Sequence, residues 1–192
     1  MLVLASASPR RQELLRSAGI PFTVQPANVD ETWCAGEMPR DFAERLAREK
    51  ALKVWKTRVR DVVLGADTIV VAGDLILGKP TDQEHAIRML KMLSGREHCV
   101  ITGIAVIGTE HALSGEAGEP RIRVASETTK VIMNEISDAE VRQYVATGEP
   151  MDKAGAYAIQ GIASRWIPRI EGDYSNVVGL PVALVYRMLK DL

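Results

Sequence analysis

The sequence MLVLASASPRRQELLRSAG (residues 1–19) starts with a short apolar run and continues into a segment with helical spacing. Residues 1–5 predict a buried strand. Ser8 predicts an N-cap because Pro9 follows at the first helical position, and Gly19 predicts the end of the helix. A buried strand that leads directly into a helix is typical of α/β proteins.

The rest of the chain continues this alternation, so we predict an α/β fold. A polar loop is predicted over 27–38, and Gly73-Asp74 predicts the turn of a hairpin that ends in 75–77. A second, variable surface loop is predicted over 108–120. The remaining predicted strands are 21–26, 61–71, 98–107, 121–133, 155–160 and 165–170, and the remaining helices are 39–58, 81–93, 137–148 and a C-terminal helix from Pro181.

Two of these helices begin with a capping-box pattern, in which a hydroxyl or carboxylate side chain and a Glu three residues later satisfy the first backbone N–H groups. The patterns are Thr81-Asp82-Gln83-Glu84 and Ser137-Asp138-Ala139-Glu140. No break in composition marks a linker, so two lobes would have to be built from interleaved segments.

The composition is that of an ordinary globular chain. The 192 residues carry 24 Lys and Arg against 25 Asp and Glu, which gives a net charge of -1. This balance, with only three Trp, four Tyr and two Phe, argues against broad nucleic-acid binding, which favours a basic surface and stacking aromatics. A small anionic ligand needs only a local cluster of cations, so that class stays open.

Membrane and secreted classes are disfavoured. No apolar run approaches the roughly 20 residues of a membrane span, and the charge order of the first residues does not fit a secretory signal. Cys34 and Cys99 form no CxxC pattern or ligand cluster. We therefore expect a cytoplasmic protein with reduced thiols.

The segment Ser6-Ala7-Ser8-Pro9-Arg10-Arg11 is a candidate anion site. It joins a strand to a helix N-terminus, where free N–H groups and the helix dipole attract phosphate. Arg suits bidentate phosphate contact. The alternative is a capped helix with solvated arginines, but cations in a first turn oppose the dipole.

Asp67 stands in Gly65-Ala66-Asp67-Thr68, inside an otherwise apolar strand run. A buried carboxylate is costly unless it is paired or binds a metal. The residues alone leave a catalytic or metal-binding role and a structural role for Asp67 equally open.

Two lysines are candidates for phosphate contacts. Lys50 lies on the apolar stripe of its helix, between Leu46 and Val54, and either extends to water or points into a cleft. Lys79 stands between a turn and a helix start, where an exposed lysine is an equal alternative. The wider stretch 39–60 holds eight Lys and Arg, most of which we expect to form a solvated face.

Two acidic segments are weaker signals. Adjacent Asp30 and Glu31 are common in a loop, but beside a triphosphate site they would be reasonable magnesium ligands. Residues 149–161, which include Lys153 and Gln160, combine charged and small residues at a helix exit and could form the floor of a ligand site.

Seven motifs in order resemble the Maf family, the nucleoside triphosphate pyrophosphatases also called septum-formation inhibitors. The resemblance runs from residue 2 to the C-terminal helix, and long loop 108–120 is the one evident departure. The matching segments are Ser-Ala-Ser-Pro-Arg-Arg (6–11), Arg-Glu-Lys-Ala (48–51), Gly-Ala-Asp-Thr (65–68), Gly-Lys-Pro (78–80), Leu-Ser-Gly…His…Thr-Gly (93–103), Asp-Lys-Ala-Gly-Ala-Tyr-Ala-Ile-Gln-Gly (152–161) and Ile-Glu-Gly-Asp-Tyr-Ser-Asn-Val-Val-Gly-Leu-Pro (170–181).

The resemblance implies an elongated, two-lobed, mixed-sheet fold of the ITPase-like kind with a deep central cleft. It implies a single domain over residues 1–192 with two interleaved lobes, and, because members of the family often form dimers, a homodimer. It also implies hydrolysis of a nucleoside triphosphate to the monophosphate and pyrophosphate with a divalent cation, Mg²⁺ or Mn²⁺.

The resemblance assigns roles residue by residue. Arg11, Thr68 and Gln160 match the positions that separate the dTTP/UTP branch from the 7-methyl-GTP branch. Asp67 matches the proposed proton acceptor, and Glu31 and Asp67 are the expected metal ligands. The other expected cleft residues are Ser8, Arg10, Lys50, Lys79 and Lys153, of which Lys79 is grouped with Glu31 and Asp67 as catalytic.

These implied roles fit in-line attack on the α-phosphorus, which needs charge neutralisation and positioning more than a nucleophilic side chain. Asp67 cannot fully serve as a tight metal ligand and a free base at once. Hydrolysis would limit incorporation of these nucleotides into nucleic acids and could be linked to division arrest. The rivals are a nucleotide-binding regulator of septum formation that does not hydrolyse its ligand, and a nucleic-acid binder that uses the basic helix 39–60.

Overall fold

The computed structural model describes residues 1–109 and 120–192 and has the expected α/β composition. The strands are β1 (Leu2–Leu4), β2 (Thr23–Val24), β3 (Val62–Ala72), β4 (Leu75–Leu77), β5 (Glu97–Thr109), β6 (Pro120–Ile132) and β7 (Arg169–Glu171). The helices are α1 (Pro9–Ser17), α2 (Pro39–Trp55), α3 (Gln83–Leu93), α4 (Asp138–Ala146), α5 (Tyr174–Val178) and α6 (Val182–Lys190). The predicted fold class is confirmed.

Within the described residues, seven strands form one mixed sheet in the order β2-β1-β3-β5-β6-β7, with β4 paired to β3. β1 runs parallel to both β2 and β3. β4 is antiparallel to β3, as the predicted hairpin requires, and β7 is antiparallel to β6. The start of α1 therefore follows a strand that lies directly beside β3, which carries Asp67.

The chain divides into two compact units whose segments alternate along the sequence. Unit 1 comprises Met1–Asp67, Thr102–Glu127 and Gly179–Leu192, and unit 2 comprises Thr68–Ile101 and Thr128–Val178. The boundaries fall inside the long strands β3, β5 and β6, so these strands contribute residues to both units.

In unit 1, α2 lies very close to the sheet because two strand residues have no side chain. A Cβ atom at Gly65 on β3 would lie 2.1 Å from the carbonyl oxygen of Ala47, and one at Gly103 on β5 would lie 2.2 Å from that of Ala43. Gly65 and Asp67 are two residues apart and so share one face of β3. The close approach at Gly65 thus brings α2 beside the face that carries Asp67.

Unit 2 is organised by α3 and α4 around an apolar core. Leu90 and Leu93 from α3 and Tyr144 from α4 are fully buried, and the Tyr144 ring meets Trp166 edge-on at 5.4 Å. α4 begins with the predicted capping box, in which the Ser137 and Glu140 side chains each accept the other residue's backbone N–H. That prediction is confirmed.

The capping box predicted from Thr81 is wrong, whereas the N-cap predicted at Ser8 is confirmed in position. α3 begins at Gln83, and its N-cap is Asp82, whose side chain accepts the His85 N–H at 2.7 Å. Thr81 instead binds Asp82 and His85 through its hydroxyl, because Asp82 already occupies the capping position. Ser8 is the N-cap of α1, as predicted, but its side chain makes no capping hydrogen bond.

The strand predicted over 155–160 is also wrong. This region forms short 3-10 turns at Glu149–Asp152, Ala154–Ala156 and Ile162–Trp166. Gly155 and Ala156 both have positive φ angles, +67° and +59°, which a strand cannot contain. β7 (Arg169–Glu171) overlaps the strand predicted over 165–170 only at residues 169–170, and the short helix α5 was not predicted.

Some element boundaries differ from the prediction. α2 ends at Trp55 rather than 58, and β2 keeps only two residues of the strand predicted over 21–26. The loop predicted over 108–120 begins later and ends earlier than expected, since β5 reaches Thr109 and β6 starts at Pro120. The other residues of the predicted loop, 110–119, lie outside the described part of the chain. No helix in the described ranges has the length and apolar character to cross a bilayer.

Candidate active site

Asp67 is a buried carboxylate with a lysine partner. It lies on β3 with its side chain 11% exposed, and the Lys50 side chain on α2 is 10% exposed. The Lys50 Nζ donates a hydrogen bond to Asp67 Oδ1 at 2.6 Å. Lys50 therefore points inward and does not extend to water. The catalytic role of Asp67 stays a prediction, because a structural Asp would also need such a partner.

Glu31 joins this pair from the loop before α2. Its Oε1 lies 2.6 Å from the same Lys50 Nζ, although its side chain is 55% exposed. One ammonium group therefore bridges two carboxylates that are 36 positions apart in the chain. One carboxylate is enclosed by protein and the other is open to solvent, which gives the two acids different chemical environments.

Arg11 lies on the first turn of α1 and is fixed by backbone carbonyls. Its Nε donates to the Gly179 oxygen at 2.8 Å, and its Nη1 donates to the Ala66 oxygen at 2.8 Å. The same Nη1 reaches Ser6 Oγ at 3.1 Å, and Ser6 Oγ also accepts the Ser8 N–H at 3.3 Å. The hydrogen bond to Ala66 thus holds the Arg11 guanidinium group beside the residue that directly precedes Asp67 on β3.

We call Arg11, Glu31, Lys50 and Asp67 the polar cluster of unit 1. Burial raises the pKa of Asp67, while the positive charges of Lys50 and Arg11 act in the opposite direction. Burial likewise lowers the pKa of Arg11, and the Asp67 charge opposes that effect. A carboxylate with a raised pKa is a stronger proton acceptor once it is ionised.

Ser8 and Arg10 lie at the start of α1, in the same unit. Both side chains are half-buried, and the positive charge of Arg10 is close enough to lower the pKa of Arg11. The N-terminus of α1 and its arginines therefore stand beside the buried acid, as an anion site at a helix start requires.

The other predicted site residues belong to unit 2. Lys79 is exposed in the turn after β4, Gln160 is exposed before the turn Ile162–Trp166, and Thr68 is half-buried at the start of the unit. The Lys153 Nζ donates to the Glu149 carbonyl and to Asp152 Oδ1, both at 2.6 Å. Their roles toward a substrate stay predictions.

Glu149 and Tyr144 support this part of unit 2 and were not singled out from the sequence. The Glu149 Oε1 accepts the Tyr144 hydroxyl at 2.8 Å and the Ile162 N–H at 3.2 Å. A Cβ atom at Gly161 would lie 2.2 Å from that same oxygen, so a larger residue there would have to displace the carboxylate. The carboxylate thereby fixes the turn that follows Gln160.

Five of the eight Lys and Arg in the stretch 39–60 are exposed, which confirms the expectation of a mostly solvated face, but part of the stretch also holds the loop that carries Glu31. Arg45 binds Glu37 through two hydrogen bonds, and Lys53 donates to the Asn28 carbonyl. The Glu37 carboxylate raises the pKa of Arg45, and Arg45 lowers the pKa of Glu37. The sequence signal for this face was the spacing of Arg45, Glu49 and Lys53 by four, which places them on one side of α2.

The residues fit a divalent cation held together with a phosphate ligand. The described residues contain no group of three His, Cys, Asp or Glu side chains able to hold a metal ion by themselves. Mg²⁺ is usually bound by one or two protein carboxylates plus substrate phosphates, and two carboxylates converge at Lys50. Glu31 and Asp67 are therefore suitable ligands in that mode.

Fold and site together define a class: an α/β protein with a charged, partly buried site that suits a phosphate-bearing ligand and a cation. Comparison with known sequences gives the family. The chain belongs to the Maf family, whose model, described as "Maf-like protein", matches residues 1–192. The resemblance drawn from the motifs is confirmed.

Several relatives named "dTTP/UTP pyrophosphatase" match this chain over nearly their full length. The Koribacter versatilis protein is 54% identical over 98% of this chain and 93% of its own. The Syntrophomonas wolfei protein is 48% identical over 97% and 94%, and the Geobacter sulfurreducens protein is 49% identical over 98% and 95%. Among solved structures, the Staphylococcus aureus Ham1 protein is similar with a TM-score of 0.49 and 14% identity, over 99% of this chain and 98% of that one.

Proposed function

We propose that this protein hydrolyses dTTP and UTP to the monophosphate and pyrophosphate. The observation that carries the proposal is the polar cluster of unit 1, in which Lys50 bridges Glu31 and the buried Asp67 at 2.6 Å each. The names of relatives about 50% identical over almost the whole chain supply the substrate class.

Phosphate binding is assigned first to the start of α1. The backbone N–H groups of a helix N-terminus attract anions, and in this chain Ser8, Arg10 and Arg11 are in the same place. Lys50 supplies a further positive charge beside Asp67. A positive field built from these groups is local, which explains how a chain of net charge -1 binds a strongly anionic nucleotide.

The two carboxylates take different tasks. Because Asp67 cannot be both a tight metal ligand and a free base, we assign proton acceptance to Asp67 and the main share of cation binding to Glu31. The assignment follows from exposure: a hydrated cation reaches Glu31, while burial raises the pKa of Asp67. Glu31, with a smaller share from Asp67, would hold a divalent cation, which would neutralise phosphate charge and lower the pKa of bound water.

Asp67 then accepts the proton of the water that attacks the α-phosphorus. The bond from water oxygen to phosphorus forms, the α–β phosphoanhydride bond breaks, and pyrophosphate leaves with the electron pair. Arg11 and Lys50 stabilise the charge that develops on the phosphoryl oxygens, which is the main task of a protein in phosphoryl transfer.

The same proposal assigns phosphate contacts to Lys79 and Lys153 and positioning of the nucleotide to Thr68. Gln160 is assigned to the pyrimidine edge, because an amide both donates and accepts hydrogen bonds. The support for these assignments is the family membership and the motif positions. For Lys153 a contact adds to this support: its ammonium group donates a hydrogen bond to the Glu149 carbonyl oxygen at 2.6 Å, which holds the lysine side chain in place.

The test is a nucleotide panel with separate assays for the two possible products. The purified protein is incubated with each common NTP and dNTP and Mg²⁺, and pyrophosphate and orthophosphate are measured in parallel. We expect pyrophosphate from dTTP and UTP and little from GTP. Orthophosphate alone would show cleavage at the γ-phosphate and refute the proposal, and nucleotide binding without either product would favour the regulator of septum formation.

A further inference from the structure

We infer that Arg45 is a positioning residue that holds Glu31 beside Lys50 and Asp67, and so sets the affinity of the site for its divalent cation. The inference rests on the proposed function. Arg45 does not touch the polar cluster of unit 1; it acts through the loop that carries Glu31.

The loop needs such a restraint because little else fixes it. Glu31, Thr32, Trp33 and Cys34 are all exposed, and the described backbone between 27 and 38 contains no strand or helix. A loop with few buried apolar contacts has low local stability. Its position must therefore come mainly from polar contacts with α2.

Arg45 supplies the largest set of these contacts. Its Nε donates to Glu37 Oε1 at 2.7 Å and its Nη2 donates to Glu37 Oε2 at 2.9 Å, which is a bidentate pair. The Nη2 also donates to the Thr32 carbonyl at 3.1 Å, directly after Glu31. The pair is well enclosed, with Arg45 28% and Glu37 12% exposed at the side chain.

Glu37 passes this restraint back along the loop. Its Oε2 accepts the Cys34 N–H at 3.3 Å, and its backbone oxygen accepts the Trp33 indole N–H at 3.0 Å. On the other side of Glu31, the Asp30 side chain accepts the Thr32 N–H at 2.9 Å. Glu31 is thus bracketed by two small hydrogen-bonded turns that Arg45 ties to α2.

The geometry requires arginine rather than any cation. A lysine at position 45 keeps the positive charge, but it lacks the planar guanidinium group that binds both Glu37 oxygens and the Thr32 carbonyl together and lies 5.4 Å over the Phe42 ring. Arg45→Lys is therefore a mild variant that tests the fork. The matched control is Arg40→Lys on the same helix, where Arg40 binds Glu44 and Ser126 instead of the loop.

The first readout does not depend on activity. Hydrogen exchange of the peptide covering 28–38 reports loop order, and the Cys34 and Glu37 amides are hydrogen-bonded in this structure. We expect Arg45→Lys to speed exchange in this peptide and Arg40→Lys to leave it unchanged. Binding of Mn²⁺ to the protein saturated with a dTTP analogue whose α–β bridge cannot be hydrolysed, measured by electron spin resonance, should weaken about tenfold in Arg45→Lys, as for other residues that orient metal ligands.

The second readout separates positioning from general damage. In the hydrolysis assay, Arg45→Lys should raise the half-saturating Mn²⁺ concentration by about tenfold, with the KM for dTTP at saturating Mn²⁺ nearly unchanged. In a Glu31→Gln background the same substitution should have no further effect on Mn²⁺ binding, because Arg45 acts through Glu31.

Two results would overturn the inference: wild-type loop exchange and Mn²⁺ affinity in Arg45→Lys, or an equal loss of Mn²⁺ affinity in the Glu31→Gln background. If the wild-type protein releases no pyrophosphate, the proposed function fails. The Mn²⁺-binding and exchange measurements then still decide the role of Arg45.

Discussion

The two units bury their polar groups in opposite ways. In unit 1, Asp67 and Lys50 are buried as a charge pair that a surface carboxylate, Glu31, also reaches. In unit 2, His98 and Tyr157 are buried as a hydrogen-bonded pair, His98 Nε2 to the Tyr157 hydroxyl at 2.8 Å, and burial lowers the pKa of His98 to about 4. At neutral pH the unit 2 pair is therefore uncharged.

This difference separates chemistry from structure. A buried charge pair is a poor way to stabilise a fold, because desolvation offsets most of the attraction, so its presence points to function. A neutral buried pair has no charge to desolvate, so it costs a core less than an ion pair does. We therefore expect changes in unit 1 to remove activity and changes in the His98–Tyr157 pair to alter stability alone.

The largest expected effect is that of Asp67→Asn. The amide keeps the shape of Asp67 but cannot accept the proton, so turnover should fall about a thousandfold, within the usual range for a lost general base. Binding of dTTP, measured by calorimetry, should be retained. The control is Asp74→Asn in the exposed β3–β4 turn, which should hydrolyse at the wild-type rate. Turnover near wild type in Asp67→Asn, or lost binding, would contradict the assignment.

The next effect is the stability cost of Lys50→Met. Removing one partner of a buried ion pair leaves an uncompensated charge and should lower the free energy of unfolding by about 3 kcal/mol at neutral pH. Without Lys50 the folded-state pKa of Asp67 rises further, so the cost should shrink as the pH falls and Asp67 becomes protonated. Urea unfolding of the wild-type and Lys50→Met proteins at several pH values measures this difference in the free energy of unfolding.

A second substitution sharpens the Lys50 test. The double variant Lys50→Met, Asp67→Asn removes both charges and should recover most of the lost stability while staying inactive. Lys56→Met, at an exposed position just after α2, should leave stability unchanged. A Lys50→Met protein as stable as wild type at neutral pH would mean that the pair is not buried as a charge pair.

In unit 2, acid should destabilise the wild-type protein through His98. The folded-state pKa is about 4 against 6.5 for the ordinary group. Below pH 6.5 His98 binds a proton in the unfolded chain but stays neutral in the folded chain. The free energy of unfolding therefore falls as the pH drops toward 4. The expected loss relative to His98→Gln is about 3 kcal/mol over this window. Equal pH dependence in urea unfolding of the two proteins would contradict a buried neutral His98.

The smallest effect is that of Tyr157→Phe. It removes the hydroxyl that binds His98 but keeps the ring, which meets the imidazole edge-on at 5.4 Å. A lost neutral hydrogen bond costs about 1 kcal/mol. Thermal unfolding should show this loss, and kcat/KM for dTTP should stay at the wild-type value. A large drop in kcat/KM with little loss of stability would break the comparison.

Local patterns predicted much of the fold. The Ser137 capping box, the Gly73-Asp74 hairpin and the strand-to-helix start at residues 1–19 were all readable, because each depends on a few adjacent residues. The wrong strand at 155–160 shows the limit. The backbone there has positive φ angles at Gly155 and Ala156, and a Cβ atom at Gly155 would lie 2.9 Å from the Val70 side chain, a close approach between distant residues that no local pattern encodes.

The site was predictable in part for the same reason. Asp67 was recognisable as a candidate site residue because it is a carboxylate inside an apolar run, and a buried carboxylate must have a partner. That its partner is Lys50, and that Glu31 joins it, depends on the close approach of α2 at Gly65, which no local pattern encodes. Arg45 was missed because its role depends on a loop contact, and on the sequence it is one of eight basic residues in 39–60.

The most direct test of the account follows the oxygen of the attacking water. The wild-type protein is incubated with dTTP and Mg²⁺ in water enriched in heavy oxygen, and the products are weighed by mass spectrometry. Attack at the α-phosphorus, with Asp67 as proton acceptor, predicts the label in the monophosphate and none in pyrophosphate. Label in pyrophosphate, or in released orthophosphate, would place the attack on another phosphorus and contradict the account.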